Sequence, residues 1–296
     1  MHELVIARSP ASHPERSRRT RDDEAISVPF RLHTMTRTYS LPHIYDIAFD
    51  FRDVKGEVDF LCHIAKKQLG RPVKSAIELA CGPAYHAREF ARRGIVSDGL
   101  DLSPEMIAYT RELANKERLA MNAIEADMRW YRSEKKYDLA YILIASFAHL
   151  LTNQDILDNF NCVADLLNDG GVYVIVTAHP RDFWGVGERY AKTHWTMERD
   201  GVVVITDWGG DNDRFDPLTE IDDVTVSFAV TENSETTVHK CPERLRRLSF
   251  QTFQALVQLS GRFETANLLG DLDESVPLSS ENESGRLVAV MGKRNL

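Results

Sequence analysis

A short stretch of small residues between a predicted buried strand and a predicted helix limits the fold more than any other feature of the chain. The apolar run 73–79 predicts the strand, and Ala80, Gly82 and Ala84 follow it. Small side chains let the backbone turn sharply beside a ligand, and the free N–H groups of the next helix face that ligand. Asp101 ends the following predicted strand, where a carboxylate can accept hydrogen bonds from both hydroxyls of a ribose. This pairing predicts an adenosine-bearing cofactor.

Strand-like and helix-like patterns alternate along the middle of the chain. Ser103, Pro104 and Glu105 predict a helix start, with an N-cap, a proline at the first helical position and a carboxylate at the positive helix end. Thr152 with Asp155 predicts another helix start. Such alternation indicates a parallel sheet with helices on both faces. The predicted class is α/β, a Rossmann-like, doubly wound, seven-stranded and mostly parallel sheet, with strands near residues 73–80, 97–101, 121–126, 138–145, 171–178, 262–269 and 286–292.

After Pro180 the alternation stops, and a turn at Asp200-Gly201 between apolar segments predicts an antiparallel hairpin. The first residues of the chain show no periodicity and are rich in polar and basic residues, which is typical of disorder. We therefore predict four parts: a disordered N-terminal arm (1–36), an N-terminal cap with the cofactor-binding core (37–180), an antiparallel β lid insertion (181–245), and a C-terminal helix with strands that complete the core (246–296).

The order of five motifs resembles that of the class I S-adenosylmethionine-dependent methyltransferases. The motifs are Glu78 with the loop 80–84, then Asp101, and residues 126–128, 137–142 and 168–171. Ala80 and Ala84 stand where that family carries glycine. The resemblance implies S-adenosyl-L-methionine as the cofactor and S-adenosyl-L-homocysteine as its product. The position of the lid is similar to that in glycine N-methyltransferase and the amino-sugar N,N-dimethyltransferases.

Two other interpretations of the turn stay open at this point. A nicotinamide or flavin enzyme would need a third glycine close to the helix and a pyrophosphate to bind there. Tyr85 or His86 occupies that place, which favours a cofactor without a pyrophosphate. The turn could also bind nothing.

The amino-acid composition narrows the classes of partner that the chain could bind. The net charge of −9 and the pI near 5.6 disfavour a nucleic-acid partner, because affinity for nucleic acid rests on clustered Lys and Arg. The four cysteines lie far apart and form neither a zinc pattern nor a disulfide framework. We find no apolar run of bilayer length and no signal-peptide core. We therefore expect a cytoplasmic protein that binds no metal and no membrane. The composition is also compatible with a homo-oligomer.

The resemblance implies roles for residues at the strand ends. Glu78 would orient the loop or reach the methionine amino group, and Asp101 would bind the ribose. Asp127 would meet the adenine edge, although an aspartate at a strand end is also a common turn cap. The full set of expected cofactor-binding residues is Tyr45, Glu78, Ala80, Gly82, Asp101, Leu102, Met106, Asp127, Met128 and Ile144.

The methyl acceptor is expected at the end of the fourth strand, beside the root of the lid. His149 could act there as a general base, since the pKa of histidine suits deprotonation near neutrality, or it could only hold the loop. The aromatic residues after the fifth strand could surround a cationic or apolar acceptor, or they could form the core of the lid. The expected substrate-binding residues are Tyr39, Ser146, Phe147, His179, Arg181, Trp184 and Trp195.

Taken together, these patterns predict an enzyme that transfers a methyl group from S-adenosyl-L-methionine to nitrogen or oxygen of a small molecule. A protein or RNA methyltransferase is the alternative among enzymes. A protein that binds the cofactor without transferring its methyl group is the alternative of a different class.

Overall fold

The structure is a computed structural model, and it describes residues 30–32, 37–183, 193–281 and 285–295. The strands are β1 (Phe30–Leu32), β2 (Ser75–Leu79), β3 (Val96–Asp101), β4 (Met121–Glu125), β5 (Tyr137–Ile142), β6 (Leu167–Ala178), β7 (Thr193–Arg199), β8 (Val202–Trp208), β9 (Arg214–Asp216), β10 (Ile221–Glu232), β11 (Glu235–Arg246), β12 (Phe263–Leu269) and β13 (Arg286–Lys293). The α-helices are α1 (Pro42–Ala48), α2 (Val54–Leu69), α3 (Tyr85–Arg92), α4 (Pro104–Lys116), α5 (Asn153–Leu166) and α6 (Phe250–Ser260). Short 3-10 helices cover Thr38–Ser40, Ser146–His149 and Pro180–Phe183.

The core is a sheet of seven strands in the order β12-β13-β6-β5-β2-β3-β4. The strands from β6 to β4 pair in parallel, and β13 alone runs antiparallel to both of its neighbours. Helices α5 and α6 pack against one face of the sheet, while α2 and α3 pack against the other. This arrangement confirms the predicted Rossmann-like fold class, and it places the carboxyl ends of the parallel strands along one edge, where ligands bind in such sheets.

The predicted helix starts are confirmed. Ser103 Oγ accepts a hydrogen bond from the backbone N–H of Met106 at 3.2 Å. Thr152 and Asp155 form a reciprocal capping box, with each side chain accepting from the backbone N–H of the other residue. Because these caps satisfy N–H groups that the helix itself cannot, they determine where α4 and α5 begin.

A second sheet, with β1, β11, β10, β8 and β7 in that order and β9 beside β10, forms the lid. Asp200 and Gly201 adopt positive φ and close the predicted hairpin between β7 and β8. Strand β11 continues to Arg246, one residue past the predicted end of the lid. Residues 30–32, which we expected to belong to a disordered arm, instead pair in parallel with β11. The rest of that arm lies outside the described residues.

The N-terminal cap consists of the described helices ahead of β2, and its helix α1 packs between the lid and the core. Its apolar residues join those of β8, β10 and β11 in one buried cluster that also includes Met106 of α4. Asp46 of α1 binds Arg199 of β7 and Tyr109 of α4 through one carboxylate oxygen, at 2.5 Å and 2.8 Å. These contacts hold the cap and the lid over the carboxyl ends of the core strands.

Candidate functional site

The loop after β2 is unusually compact. Ala80, Gly82 and Ala84 all adopt left-handed backbone conformations, with φ of 50°, 52° and 54°. Alanine in this region costs free energy that glycine would not, on the order of 1–2 kcal/mol per residue. Gly82 lies beneath the ring of Tyr45, because a Cβ built on it would be 3.8 Å from Tyr45 Cε1. The loop therefore has the sharp turn that the sequence predicts, and the cap covers it.

Asp101 holds this loop in place. Its Oδ2 accepts a hydrogen bond from the N–H of Gly82 at 2.7 Å, and its Oδ1 accepts from the N–H of Ser103 at 2.9 Å. Burial raises the pKa of Asp101, although the bonds from these backbone N–H groups act in the opposite direction. Each carboxylate oxygen keeps a second lone pair, so the side chain can still accept bonds from two hydroxyls.

Gly99 of β3 allows the loop to approach the sheet. A Cβ on Gly99 would be 2.9 Å from Cys81 Sγ, which is too close for a real contact, and 3.2 Å from Cys81 Cβ, which is tighter than most real contacts. The loop is buried at this point, since Cys81 and Ala84 are 5% and 0% exposed. The sequence does not single out this glycine, because a glycine within a strand has no signal that separates close packing from chance.

We expect Gly99→Ala to lower the free energy of unfolding by about 1–3 kcal/mol, because overpacking displaces the loop. Cys81→Ala in the same chain removes Sγ and should restore part of the loss. Denaturant unfolding measures both effects. Gly292→Ala is the control, since a Cβ there meets only Glu264 Cγ, at 3.9 Å. Equal losses for Gly99→Ala and Gly292→Ala would mean that the loop does not press on β3.

A buried polar network lies behind the loop. Glu78 Oε2 accepts a hydrogen bond from the N–H of Ala87 at 2.9 Å, and its Oε1 is 3.2 Å from His86 Nδ1. The other ring nitrogen of His86 lies 2.6 Å from Glu57 Oε2. Burial and the charge of Arg52 act to lower the pKa of His86, but the hydrogen bonds to both carboxylates outweigh them and raise it. Glu78 is thus engaged with helix α3, which orients the loop from behind.

Arg52 completes this network and leaves part of its guanidinium unused. Its Nη2 donates to Glu57 Oε2 at 2.5 Å. Its Nη1 is buried and has no hydrogen-bond partner among the described residues. Unused N–H groups on a buried cation are costly, so they favour a bound anion or oxygen. Nothing in the sequence marks Arg52, because an arginine between two helices usually lies at the surface.

The expected adenine contacts differ in their surroundings. Leu102 is 67% exposed at the end of β3. Met106 is fully buried in the cluster between the cap and the lid. Asp127 accepts hydrogen bonds from the guanidinium and the backbone N–H of Arg129. Met128 packs against the core, and its backbone O accepts from Asn159. The Asp127 carboxylate therefore caps this turn, which is the alternative role that the sequence analysis gives for an aspartate at a strand end.

The end of β5 is strained. Ile144 and Ala145 adopt positive φ of 52° and 56°, and for a β-branched residue this conformation is a genuine outlier. The turn directs the chain into the 3-10 helix that carries His149. Strain of this kind concentrates at functional sites, where surrounding contacts enforce it.

His149 forms a hydrogen bond with Tyr39, whose hydroxyl oxygen is 2.7 Å from Nε2. Burial lowers the pKa of His149 to about 4, so the imidazole is neutral at physiological pH. Burial also raises the pKa of the Tyr39 hydroxyl well above its ordinary value, which keeps that group protonated. The structure therefore brings together two residues that the sequence predicted separately for the acceptor side.

The other predicted acceptor residues do not form one cluster. Phe147 is buried in the core and stacks on Phe160, with ring centroids 6.0 Å apart. Ser146 lies next to it and is only partly buried. Trp195 donates its indole N–H to the backbone O of Ala48 at 2.7 Å and packs against rings of the cap. Trp195 thus attaches the lid to α1. This contact fits the second interpretation of the aromatic residues after the fifth strand, in which they form a core.

His179 and Arg181 continue from the end of β6. The Nδ1 of His179 accepts a hydrogen bond from the backbone N–H of Arg181 at 3.2 Å. Arg181 Nη1 is 3.5 Å from the backbone O of Ser280. Trp184 lies outside the described residues.

Within the described ranges, no group of three or more His, Cys, Asp or Glu residues is arranged to hold a metal ion. No helix in that part of the chain is both long and apolar enough to cross a bilayer. All four cysteines are free thiols.

The chain is similar to known methyltransferases in part of its sequence and in its fold. Residues 76–171 match the family model described as a methyltransferase domain. A curated relative, the dTDP-3-amino-3,4,6-trideoxy-alpha-D-glucopyranose N,N-dimethyltransferase of Streptomyces venezuelae, is 24% identical over 141 residues, which cover 46% of this chain and 57% of the relative. The chain spans about half the length of the curated relatives it matches.

Two solved structures share the fold. An S-adenosylmethionine-dependent methyltransferase from Clostridium acetobutylicum superposes with a TM-score of 0.70 at 16% identity, covering 84% of this chain and 96% of the other. CalS10, an amino pentose methyltransferase from Micromonospora echinaspora solved with its S-adenosylmethionine bound, gives 0.65 at 17% identity over 85% and 97%.

These findings confirm the predicted resemblance to the S-adenosylmethionine-dependent methyltransferases. At the level of the matched domain, they also support an enzyme of the transferase class.

Proposed function

We propose that this protein transfers the methyl group of S-adenosyl-L-methionine to nitrogen or oxygen of a small molecule. The observation that carries the proposal is the Asp101 carboxylate bound to the loop at Gly82, beneath a cap and a lid that cover the carboxyl ends of the strands. The amino-sugar and amino pentose acceptors in the names of similar proteins support a small acceptor and favour nitrogen.

The residues around the loop fit the proposed cofactor. Asp101 would bind the ribose hydroxyls, and Leu102 would cover the adenine. The unused Nη1 of Arg52 would bind the carboxylate of the methionine part, which is the anion that this buried donor lacks. When bound, the cofactor supplies a methyl group on a positively charged sulfur.

On the acceptor side, the main task of the protein is to hold the acceptor in line with the methyl group and to exclude water. We propose that Tyr39 and His149 orient the acceptor atom, and that the neutral imidazole receives its proton where it has one to lose. An imidazole with a pKa of about 4 is a weak base, so positioning supplies most of the rate.

The acidic composition supports a small acceptor over RNA, because binding to RNA would need clustered cations. We propose a cytoplasmic location, since all four cysteines are free thiols, as is usual in a reducing compartment.

Calorimetry with S-adenosylhomocysteine tests the proposal. We expect one site per chain and, at a ligand concentration of 100 times Kd, a stabilisation of about 2.7 kcal/mol. NAD is the matched control, because it carries the pyrophosphate of the alternative cofactor class and should not bind. Folded protein that binds NAD, or neither ligand, would contradict the assignment. A second experiment measures the transfer of labelled methyl groups to small amines, to hydroxyl compounds, to protein and to RNA, and so distinguishes the acceptor classes. Binding of the cofactor without transfer to any of them would favour a protein that only binds the cofactor.

We expect His149→Ala to lower kcat by about tenfold to a hundredfold, with the affinity for S-adenosylhomocysteine almost unchanged. Because the pKa of His149 is lowered to about 4, the group is neutral above that pH and protonates only below it. The pH profile of kcat should therefore show no titration of His149 between about pH 5 and pH 8. A step near the ordinary pKa of histidine that disappears in the variant would contradict this assignment, and an unchanged kcat would make His149 purely structural.

A further inference from the structure

Glu243 of β11 lies on the face of the lid that turns toward the cap. Alternate residues of a strand share one face, and Cys241, two residues earlier, is fully buried in the cluster between the lid, the cap and α4. Strand β11 also contacts the two 3-10 helices that carry Tyr39 and His149. The Glu243 side chain therefore lies beneath the lid, on the proposed acceptor side.

Two tyrosine rings of the cap lie near this carboxylate. Burial raises the pKa of Tyr39 and of Tyr45, and the negative charges of Glu243 and Asp101 raise both further. The centroid of the Tyr39 ring is 5.8 Å from that of Tyr45 and 5.4 Å from that of His149. The lid thus supplies one carboxylate near this group of rings, and the core supplies another.

Glu243 has no cation to balance it in the described part of the chain. Burial raises its pKa, Thr38 acts in the opposite direction, and no Lys, Arg or His contributes. The arginines that follow in the chain pair with other carboxylates: Arg244 with Asp223, Arg246 with Glu220 and Arg247 with Asp222. A carboxylate that loses water without gaining a cation is costly, so Glu243 favours a cationic ligand.

This ligand can reach the carboxylate from solvent. Tyr39, His149 and Glu243 are each partly exposed. Burial nevertheless raises the pKa of Tyr39 and of Glu243 and lowers that of His149. Side chains that protein surrounds but that still contact solvent line a cleft, and this cleft lies between the lid and the carboxyl ends of the core strands.

We propose that Glu243 binds the methyl acceptor as a protonated aliphatic amine, so that the acceptor atom is nitrogen. This inference rests on the proposed function, because it takes the ligand beneath the lid to be the acceptor. The aromatic faces of Tyr39 and Tyr45 would add cation–π attraction to the same group. Glu243 thereby selects a basic amine over an alcohol.

The pairing also provides a place for the proton that the amine must lose. A protonated nitrogen has no free electron pair, so one N–H bond breaks, the pair stays on nitrogen and the proton bonds to a carboxylate oxygen of Glu243. This transfer cancels both charges, which a site shielded from water favours. The raised pKa of Glu243 makes the transfer less costly. His149 then remains neutral and available for a further proton.

Three small probes test the charge preference: propan-2-amine, propan-2-ol and isobutyrate. They share a branched apolar frame, and the amine is protonated at pH 7, as the amine of lysine is. NMR titration measures their affinities for the full-length protein saturated with S-adenosylhomocysteine. We expect the amine to bind about tenfold or more tightly than the alcohol, the factor for a hydrogen bond to a charged group, and more tightly than isobutyrate. An amine that binds no better than the alcohol would overturn the proposal.

Two variants connect the preference to Glu243. Glu243→Gln keeps the shape of the side chain and removes its charge. Glu235→Gln is the matched control, because it makes the same change of charge at the exposed start of the same strand. We expect only Glu243→Gln to lose the preference for the amine, while both variants still bind S-adenosylhomocysteine. A preference that persists in Glu243→Gln, or an equal loss in Glu235→Gln, would overturn the assignment.

The positively charged sulfur of the cofactor is the other cation that Glu243 could face. The affinities of S-adenosylmethionine and S-adenosylhomocysteine, which differ in this charge, distinguish the two. We expect their ratio to be the same in wild-type protein and in Glu243→Gln. A selective loss of affinity for S-adenosylmethionine in the variant would place the carboxylate at the sulfur and overturn the proposal. Failure of the wild-type protein to bind S-adenosylhomocysteine would instead refute the proposed function.

Discussion

Asp101→Ala is expected to weaken the binding of S-adenosylhomocysteine by about a hundredfold or more. The change removes the proposed acceptor of two ribose hydroxyls, and hydrogen bonds to a charged group contribute about 1.5–3 kcal/mol each. It also releases the N–H groups of Gly82 and Ser103, which Asp101 now holds at 2.7 Å and 2.9 Å. Isothermal titration calorimetry measures the affinity. Normal binding by the variant would mean that another carboxylate holds the ribose.

Asp98→Ala is the matched control for this experiment. Asp98 lies on the same strand and is also buried, but it binds Lys135, Tyr137 and Asn122, on the side of the sheet away from the loop. We expect Asp98→Ala to lower the stability of the fold and to leave the affinity almost unchanged. Equal losses of affinity in both variants would show that Asp101 acts only through the fold.

The charge of Asp101 also predicts a pH dependence. Burial raises the pKa of this carboxyl group above its ordinary value of 3.8. In its proposed role the ionised carboxylate accepts bonds from both ribose hydroxyls, so the affinity should fall as the pH decreases through the raised pKa and should be constant above it. Asp101→Asn carries no ionisable group and should remove this dependence.

Arg52→Met is also expected to have a large effect: it should lower both the stability of the fold and the affinity for the cofactor. The change breaks the buried ion pair with Glu57, whose carboxylate then keeps only its contact with His86, and breaking a buried pair typically costs about 3–5 kcal/mol. It also removes Nη1, the proposed partner of the cofactor carboxylate, so we expect S-adenosylhomocysteine to bind at least about tenfold more weakly. Denaturant unfolding and calorimetry give the two quantities separately.

Glu57→Gln distinguishes the two roles of Arg52, because it breaks the same ion pair and leaves Nη1 in place. We expect a comparable loss of stability and only a small loss of affinity. If both variants lost affinity equally, Arg52 would act through packing alone.

Acid unfolding offers an independent measurement of this network. Burial would raise the pKa of Glu57, but the Arg52 charge and the hydrogen bond from His86 outweigh it and lower the pKa to about 2. The stabilisation is therefore fully present above the ordinary value of 4.5 and is lost as the pH falls towards about 2. In Arg52→Met the pKa shift should be smaller, so stability should depend less on pH in this range.

Much of the fold follows from patterns that are local in the sequence. The caps of α4 and α5 and the turn at Asp200-Gly201 could be predicted because each depends on a few neighbouring residues. The pairing of residues 30–32 with β11 could not, because a three-residue strand depends on the partner that it meets far along the chain.

The candidate site shows the same division. The position of Asp101 beside the compact loop could be predicted because it ends a strand and its contacts lie within the core. Its role in binding the ribose stays a prediction. Trp195 could not be assigned, since the same ring could face a ligand or the cap, and only the docking of the lid on α1 distinguishes these. Ile144 carries backbone strain that no residue pattern reveals, because isoleucine rarely adopts positive φ.

The sequence by itself determined the order of the strands and helices, the compact loop and the carboxylate at the end of β3, because periodicity, caps and small residues act over short distances. The tertiary structure alone decided which distant side chains meet. Tyr39 reaches His149 across 110 residues, and Arg246 reaches Asn153 and Glu220 from other elements. Such contacts depend on how the cap and the lid pack on the core, and a buried donor without a partner is visible only after that packing is complete.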